Sequence, residues 1–471
     1  GITAPPVLKA TSGERIFNIP ASTVLSGHRL VLADGSNPSG GAVRIAASGF
    51  FSLSDSTLRD NFSSNGGAIR NDNGGFLFTR CTFVRNQATT RGGAIYNDSS
   101  LLIPRDVGTL RLCTFSDNSA IEGGAVHNND GRLEVIQSTL AGNRSPVGAL
   151  TSFGDSLTET RLRQSIVAGN YGSDLNVVAG SSNNSFASDG LNVIGLRGDG
   201  GTLNPLSGLA TGGDTTSVSD PRLAALADYG GPVFTRPLLY GSPAIDRPGS
   251  LTTLPPAGDA RGGPAVGLID TGAVQAPASV LVTTNANSGA GSLREAIDGA
   301  ATTGVLIGFD PTFFDGEAAD AIALSSSLSP DTDRLILIDA TSAEKVTLIP
   351  GPRYGISQSA PSSSSGSFSL HGLTIDGQGV NGSGGLLTGA RAVADRSIFE
   401  NLRGTGRSGI SSLASAITHV VDSRFSGNVA DGGAINHSGL LRIERSTFTE
   451  NQGFNSAGAL WINGCLLARN A

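Results

Sequence analysis

The sequence predicts an all-β protein, a right-handed parallel β-helix that winds as a solenoid with about 25 residues per coil. Three observations lead to this fold class. One motif recurs along the chain, apolar residues alternate at period two within each repeat, and glycine accounts for 66 of the 471 residues. Alternating apolar residues are typical of short strands. Glycine and asparagine are typical of the corners between strands, because both tolerate positive φ.

The recurring motif has a fixed order of residue types. It reads apolar-x-apolar-x-x-(Ser or Cys)-x-apolar-x-x-Asn, then a variable turn, then Gly-Gly-Ala-(Ile or Val), which stands at residues 66–69, 92–95, 123–126 and 432–435. The alternation shifts by one residue before the Ser/Cys position, which requires a bend between two strands. A β-sandwich is the main alternative, but it would not place the same residue type at the same point of every repeat.

Identical residues are expected to stack on one another, because equivalent strands of successive coils lie ~4.8 Å apart. We expect the phenylalanines of the motif to fill the interior and the asparagine side chains to form a hydrogen-bonded ladder at one corner. Only Leu402 interrupts the asparagine column. The residues assigned to this structural ladder are Asn61, Asn86, Asn118, Asn143, Asn170, Asn428, Asn451, Asn470, Phe83, Phe115, Phe425 and Phe448.

The three cysteines, Cys81, Cys113 and Cys465, occupy the position that holds serine in the other repeats. We therefore expect them to be small, inward-facing packing residues, since a buried cysteine behaves as a small apolar side chain. Cys81 and Cys113 should be neighbours in adjacent coils. Either two reduced thiols or a disulfide would fit there, and the serine column favours the thiols.

No catalytic, cofactor-binding or metal-binding residues are predicted. The five histidines lie at unrelated positions of the repeat and are expected in surface turns, and no Cys/His cluster has the spacing of metal ligands. Acidic residues are scattered, whereas a polysaccharide-cleaving site needs carboxylates grouped on one face. Asp376 is the best single candidate, but one carboxylate does not make a pair.

Composition argues against two classes of partner. The net charge is −7, and the 32 lysines and arginines are spread evenly along the chain, so no basic stripe for nucleic acid is expected. No segment approaches the ~20 consecutive apolar residues that a membrane-spanning helix needs, so no membrane span is expected.

Breaks in the repeat predict four segments. Residues 1–204 hold the coils of a first unit, and the proline-rich residues 205–275 form its closing segment. Residues 276–390 contain a capping strand, a short capping helix and the opening coils of a second unit, whose motif coils occupy residues 391–471. The helix is expected because Ser292-Leu293-Arg294-Glu295 forms a capping box.

Several of these motifs resemble known families. Phe-x-x-Asn (residues 83–86, 115–118, 425–428 and 448–451) with Gly-Gly-Ala-(Ile or Val) resembles the repeats of polymorphic outer-membrane proteins, which implies a β-helical passenger involved in adhesion. Residues 287–297 resemble the start of SLREA-type secreted β-helix domains, although the cysteine that precedes that motif is not seen. Motifs within residues 220–273 resemble the closing module of large bacterial surface proteins of the choice-of-anchor type.

The sequence therefore predicts a structural protein that is secreted, extracellular or displayed on the cell surface, as a rod, a fibre or an adhesin stalk. A polysaccharide-binding or polysaccharide-degrading β-helix is the alternative. The opening cap follows the closing segment in the chain, so we expect a window on a longer tandem array or a subunit that stacks end to end. Expected partners are further copies of itself and a surface glycan or host-cell ligand, without a cofactor.

Overall fold

The structure, a computed structural model, describes residues 5–99, 107–154, 158–178, 184–198, 213–247, 258–263, 268–317, 320–331, 333–351, 354–358, 366–404, 409–454, 457–462 and 466–468. Cys465 and Asn470, which the sequence assigns to the serine and asparagine columns, lie outside the described residues.

The chain divides into two compact units. Unit 1 comprises residues 1–226, 231–238 and 242–275, and unit 2 comprises residues 227–230, 239–241 and 276–471. In each unit, parallel strands pair in register from one coil to the next, with about 26 residues per turn. The predicted parallel β-helix is confirmed.

The strands of unit 1 form three long rows. Sheet A follows the Ser/Cys position, sheet B follows the glycine motif, and sheet C precedes the Ser/Cys position; sheets B and C share one long strand. Sheet A consists of Val7–Lys9, Val31–Ala33, Thr57–Arg59, Thr82–Val84, Thr114–Ser116, Thr139–Leu140, Ile166–Val167 and Val193–Ile194. Sheet B consists of Phe17–Ile19, Val43–Ile45, Ile69–Asp72, Ile95–Asp98, the shared Val126–Ile136, Leu150–Ser152 and Leu175–Val177. Sheet C adds Val24–His28, Phe50–Ser54, Gly75–Thr79, Gly108–Arg111, Thr158–Arg163 and Asn184–Ser188. Two short pairs follow the asparagine column, Phe62–Asn65 with Gln87–Arg91 and Arg144–Ser145 with Tyr171–Gly172.

The strands of unit 2 repeat this arrangement. The row that precedes the Ser/Cys position, sheet D, consists of Ser279–Val282, Val305–Phe309, Leu335–Asp339, Ser367–His371, Arg391–Asp395, Ile417–Val421, Leu440–Glu444 and Leu466–Ala468. The row that follows it consists of Ile322–Ala323, Thr347–Ile349, Thr374–Asp376, Ile398–Glu400, Arg424–Ser426 and Thr447–Thr449. The third row consists of Tyr354–Ser357, Gly384–Thr388, Ile410–Ser412, Ile435–His437 and Leu460–Ile462. A short row consists of Arg403–Gly404, Val429–Ala430 and Gln452–Gly453.

The corners of the coils are made by residues with left-handed backbone. The residue directly before the Ser/Cys position has positive φ, as at Asp55 and Arg80 (both 50°), and so does the residue before the asparagine, as at Asp60 (58°) and Arg85 (53°). The expectation that the ladder asparagines themselves take this conformation is wrong, because the preceding residue turns the chain. Salt bridges join the corners of adjacent coils, from Arg80 Nε to Asp55 Oδ1 at 2.6 Å and from Arg85 Nε to Asp60 Oδ1 at 2.8 Å.

The two glycines of the Gly-Gly-Ala motif have different roles. The first is left-handed in unit 1, with φ of 63° at Gly92 and 64° at Gly123, a region that residues with a Cβ enter only at a cost. The second lies against the next coil, and a Cβ on Gly93 would be 2.0 Å from the carbonyl oxygen of Gly124. In unit 2 the left-handed member is the second glycine, Gly433, with φ of 72°.

The described part of the closing segment in unit 1 packs sideways against sheet A. Thr82 Oγ1 donates a hydrogen bond to the carbonyl of Phe234 (2.6 Å), and the backbone N–H of Ala273 donates to Thr139 Oγ1 (3.0 Å). Thr82 and Thr139 point outward from their strands, yet they are at most 1% exposed. This segment therefore covers a side of the β-helix.

The helix of unit 2, α1 (Leu293–Asp298), forms at the predicted capping box. Ser292 is the N-cap, and its side chain accepts a hydrogen bond from the backbone N–H of Glu295 at 3.2 Å. Leu293 and Ile297 are buried in the apolar core of unit 2. Among the described residues, no helix has the length and apolar character that crossing a membrane requires.

Candidate functional site

The asparagines of unit 1 form a continuous column of side-chain hydrogen bonds. Each Nδ2 donates to the Oδ1 of the asparagine in the next coil, at 2.8, 2.9, 2.8 and 2.9 Å along the series Asn61, Asn86, Asn118, Asn143 and Asn170. From Asn86 onward, each Oδ1 also accepts the backbone N–H of the asparagine before it, as from Asn86 to Asn118 at 3.0 Å, and Asn61 Oδ1 accepts the N–H of Gly35 at 2.9 Å. The ladder thus satisfies backbone groups that the corner leaves without a strand partner.

Unit 2 has a shorter asparagine column. Asn428 Nδ2 donates to Asn451 Oδ1 at 2.9 Å, and Asn428 Oδ1 accepts the backbone N–H of Leu402 at 3.1 Å. Leu402 therefore interrupts the row of side chains but still contributes its backbone to the column.

The phenylalanines stack face to face beside this ladder. The rings of Phe83 and Phe115 have centroids 4.5 Å apart and planes 2° apart, and those of Phe425 and Phe448 are 4.9 Å and 5° apart. Phe83, Phe115 and Phe425 are fully buried, and Phe448 packs against the core while partly exposed. The interior of each unit is a stack of like residues.

The serine position forms a second column of hydrogen bonds. The hydroxyl of Ser138 accepts the backbone N–H of Cys113 at 3.1 Å, and that of Ser165 accepts the N–H of Ser138 at 3.1 Å. Cys81 and Cys113 are both free and buried in the described structure. Burial, together with the neighbouring Cys113 thiol, holds the pKa of Cys81 well above its ordinary value. These two residues are packing thiols.

We expect these two thiols to be inert in the folded protein, because a buried thiol with a raised pKa forms little of the reactive thiolate. In a Cys465→Ser background, a thiol reagent should label no cysteine until denaturant is added. Cys81→Ser should keep the free energy of unfolding within about 1 kcal/mol of the parent, since serine is the usual residue of the column. Rapid labelling under native conditions would contradict this assignment.

A second amide ladder follows the glycine motif, and it is absent from the sequence-based predictions. Asn71 Nδ2 donates to Asn97 Oδ1 at 2.8 Å, Asn97 Nδ2 to Asn128 Oδ1 at 2.7 Å, and Asn128 Nδ2 to Thr160 Oγ1 at 2.9 Å. The first three residues are fully buried. The signal was present, since asparagine follows Gly-Gly-Ala-(Ile or Val) by two residues in three repeats.

The prediction that the histidines are surface turn residues is wrong for four of the five. His127, His371, His419 and His437 are at most 4% exposed, and only His28 is largely exposed. His437 occupies the position of the second amide ladder, where its Nε2 lies 2.8 Å from Thr418 Oγ1 and its Nδ1 accepts the N–H of Gly439. Neighbours from outside the local repeat cover such positions, as the ring of Tyr229 covers His371 at 6.2 Å.

We expect two of these buried histidines to make the protein sensitive to acid. Burial, with the nearby cations Arg442 and Arg391, lowers the pKa of His419 from 6.5 to about 3, and burial lowers that of His437 to about 4. Between these values and 6.5 the unfolded chain binds more protons than the folded one. We therefore expect the contribution of these two histidines to be fully present above about pH 6.5 and to fall as the pH drops, by up to about 1.4 kcal/mol per pH unit for each histidine.

His437→Asn tests this pH dependence, because asparagine is the usual ladder residue and does not titrate. Denaturant unfolding at neutral pH and near pH 5 should show a smaller loss of stability in the variant than in the parent. The same loss in both proteins would rule out a contribution from His437. His28→Asn, at an exposed position, is the matched control.

Three carboxylates line up on the outer face of sheet B, contrary to the expectation that acidic residues are scattered. Asp72, Asp98 and Asp130 are register partners in consecutive coils. Burial and the like charges of Asp130 and Asp72 raise the pKa of Asp98. Among the described residues, no three His, Cys, Asp or Glu side chains are arranged to hold a metal ion.

The residues beside this row are mostly inaccessible. Tyr96 is 6% exposed and its ring stacks on that of His127 at 5.6 Å, while His127 is fully buried. Burial and the charge of Asp98 raise the pKa of Tyr96 to about 12, and burial and Arg91 lower that of His127 to about 3. Asp376 of unit 2, the best single candidate from the sequence, accepts hydrogen bonds from Gln378 N and Asn401 Nδ2. In the next coil its register partner is Glu400, whose Oε2 accepts a hydrogen bond from Arg424 at 2.9 Å.

Part of the chain matches a known protein family. Residues 80–98 match the Chlamydia polymorphic membrane protein (Chlamydia_PMP) repeat. No curated protein matches the chain. Among solved structures, the PL6 family alginate lyase AlyGC is 12% identical, covers 91% of this chain and 76% of its own, and has a TM-score of 0.24. A mutant of that enzyme is 12% identical, covers 94% and 83%, and has a TM-score of 0.26.

The two lyase likenesses are too weak to bear on activity. The family match spans Cys81, Phe83 and Asn86 and the glycines that follow them, which are the residues that form the columns described above. The chain thus resembles β-helix repeat proteins of the polymorphic membrane protein type.

Proposed function

We propose that this protein is a structural component of a bacterial surface, a stiff β-helical spacer or adhesin stalk. The observation that carries this proposal is that the repeated side chains make their contacts with the adjacent coils. Asparagine amides and serine hydroxyls form hydrogen bonds with the same residue type in the next coil. Phenylalanine rings stack on phenylalanine rings, and arginines at the corners form salt bridges with aspartates of the adjacent coil. Contacts of this kind stabilise a long, rigid stack of coils.

A surface location is supported by the resemblance to a polymorphic membrane protein repeat. Expression of the chain behind its native flanking sequences, followed by protease shaving and antibody labelling of intact cells, tests it. Labelling only after the cells are permeabilised would overturn the proposed location.

A polysaccharide-cleaving enzyme is the less supported alternative. Such an enzyme needs carboxylates, or a comparable acid–base pair, that face an open groove. In the carboxylate row of sheet B, Asp72 is held by two arginines, and the adjoining Tyr96 and His127 are buried. We expect no release of reducing or unsaturated ends from a panel of acidic glycans, with or without calcium, and turnover of any of them would refute the structural proposal.

End-to-end association, or membership in a longer tandem array, stays a prediction of the sequence. Sedimentation of the purified chain over a wide concentration range tests it. Association predicts a series of species that grows with concentration, and a single species throughout would argue against it.

A further inference from the structure

Three arginines from three consecutive coils of unit 1 meet on the outer face of sheet B. Arg44 and Arg70 are register partners, and the coil before them contributes Arg15. Both side chains reach the same carboxylate, from Arg44 Nε to Asp72 Oδ2 and from Arg70 Nε to Asp72 Oδ1, each at 2.6 Å. This cluster is absent from the sequence-based predictions, although an arginine follows the branched residue of the motif at both Val43 and Ile69.

The cluster contains more hydrogen-bond donors than acceptors. Within the described structure, the side chains of Arg44 and Arg70 donate hydrogen bonds through Nε alone, which leaves their terminal nitrogens for another acceptor. These side chains are 38% and 26% exposed. Arg15 donates through Nη2 to Asn37 Oδ1, but its Nη1 is buried without a hydrogen-bond partner among the described residues.

The surrounding groups hold the guanidinium groups in place but do not accept hydrogen bonds from all of their donors. The guanidinium of Arg70 stacks over the ring of Tyr96 at 5.3 Å, which fixes its plane. Burial and the charge of Arg44 lower the pKa of Arg15, as expected where cations crowd together. Glu14 and Asp98 lie nearby, but neither forms a hydrogen bond to any of the three arginines within the described residues.

We propose that Arg15, Arg44 and Arg70 form a binding site for the carboxylate or sulfate groups of an acidic polysaccharide. Guanidinium groups bind such anions through paired donors. The terminal nitrogens of Arg44 and Arg70 belong to partly exposed side chains and have no acceptor within the described structure. The three arginines belong to coils ~4.8 Å apart. One sugar ring of an extended acidic chain spans a similar length, so successive acidic groups can meet successive coils. A nucleic-acid site would need a longer basic stripe than three arginines.

This inference rests on the proposed surface function, because it names the ligand that such a protein would meet. Titration calorimetry of the full chain with hexagalacturonate, with neutral maltohexaose and with sodium sulfate alone provides the test. We expect hexagalacturonate to bind and maltohexaose not to bind. Arg44→Gln should weaken binding at least tenfold, while Asp72 keeps its bond to Arg70 and the fold is retained.

Two further variants separate binding from a purely structural role. Arg59→Gln is the matched control, since Arg59 is 32% exposed in unit 1 and pairs with a single carboxylate, Asp60, and it should leave the affinity unchanged. Asp72→Asn should tighten binding, because it removes the competing negative charge and one of the two acceptor oxygens, which frees one Nε donor. Circular dichroism of each variant checks that it is folded.

Several results would overturn the site. They are absence of hexagalacturonate binding, equal affinities for Arg44→Gln and Arg59→Gln, and unchanged or weaker binding by Asp72→Asn. Sulfate that binds alone as tightly as the oligosaccharide would reduce the cluster to a site for free anions. None of these results would contradict the proposed structural function, which is tested separately by cell-surface labelling and by the glycan-cleavage assay.

Discussion

Replacing Asn118 by leucine should destabilise unit 1 by about 3–5 kcal/mol, one of the two largest effects expected in this protein. Asn118 is fully buried in the middle of the ladder. Its Oδ1 accepts from both Nδ2 and the backbone N–H of Asn86, and its Nδ2 donates to Asn143 Oδ1 and to the carbonyl of Phe83. Leucine restores none of these bonds, and each buried polar group that loses its partner costs about 1–3 kcal/mol.

The effect of Asn118→Leu should spread along the column. A solenoid coil contacts only its neighbours, so local opening begins where the contact between coils is weakest. Hydrogen exchange should accelerate in the strands Thr82–Val84, Thr114–Ser116 and Thr139–Leu140, and remain slow in unit 2. Asn18→Leu, at an exposed strand position, is the matched control and should change stability by less than about 0.5 kcal/mol. Equal effects of the two variants would mean that the ladder contributes no stability.

The second large effect is expected from Gly93→Ala, at about 3 kcal/mol or more. A Cβ at this position would lie 2.0 Å from the carbonyl oxygen of Gly124 and 2.7 Å from the backbone nitrogen of Ser119. Both atoms belong to the backbone of the next coil, which is held by its own strand pairing. Overpacking usually costs about 1–3 kcal/mol where side chains can yield, and backbone yields less.

Gly263→Ala provides the contrast for this substitution. Its Cβ would meet nothing closer than 3.5 Å, so the alanine should be tolerated. Urea unfolding of the two variants and the parent, followed by far-UV circular dichroism, measures the difference. A Gly93→Ala protein as stable as the parent would show that adjacent coils can separate at the glycine motif without loss.

The sequence was most informative where a residue contacts its own equivalent in the next coil. Phe83 stacks on Phe115, and Asn86 forms a hydrogen bond with Asn118. A residue that recurs at the same position of the repeat therefore indicates a contact between adjacent coils. The fold class, the interior phenylalanines and the position of α1 could be predicted for this reason.

The second amide ladder of Asn71, Asn97 and Asn128 was missed although its asparagine repeats in three coils. Other missed residues depend on contacts outside the repeat, or on a position that repeats only twice. His371 is buried beneath Tyr229, which is far from it in sequence. The repeat pattern does not predict a contact between two such distant residues. The arginines of the proposed polysaccharide site hold the same motif position in only two coils, and their meeting with Arg15 needs the register of three strands. The sideways path of the segment that covers Thr82 and Thr139 is likewise a tertiary feature.

The matching of donor and acceptor in each column bears on how such a chain changes during evolution. Asn86, Asn118 and Asn143 each offer a donor to one neighbouring coil and an acceptor to the other. We therefore expect coils with this asparagine to be able to follow one another in any order. Recombination that duplicates or deletes one whole coil leaves the columns continuous. A deletion of a few residues instead shifts the phase of the corners and breaks all the columns at once. We therefore expect a gene that gains or loses whole repeats to encode products that still fold.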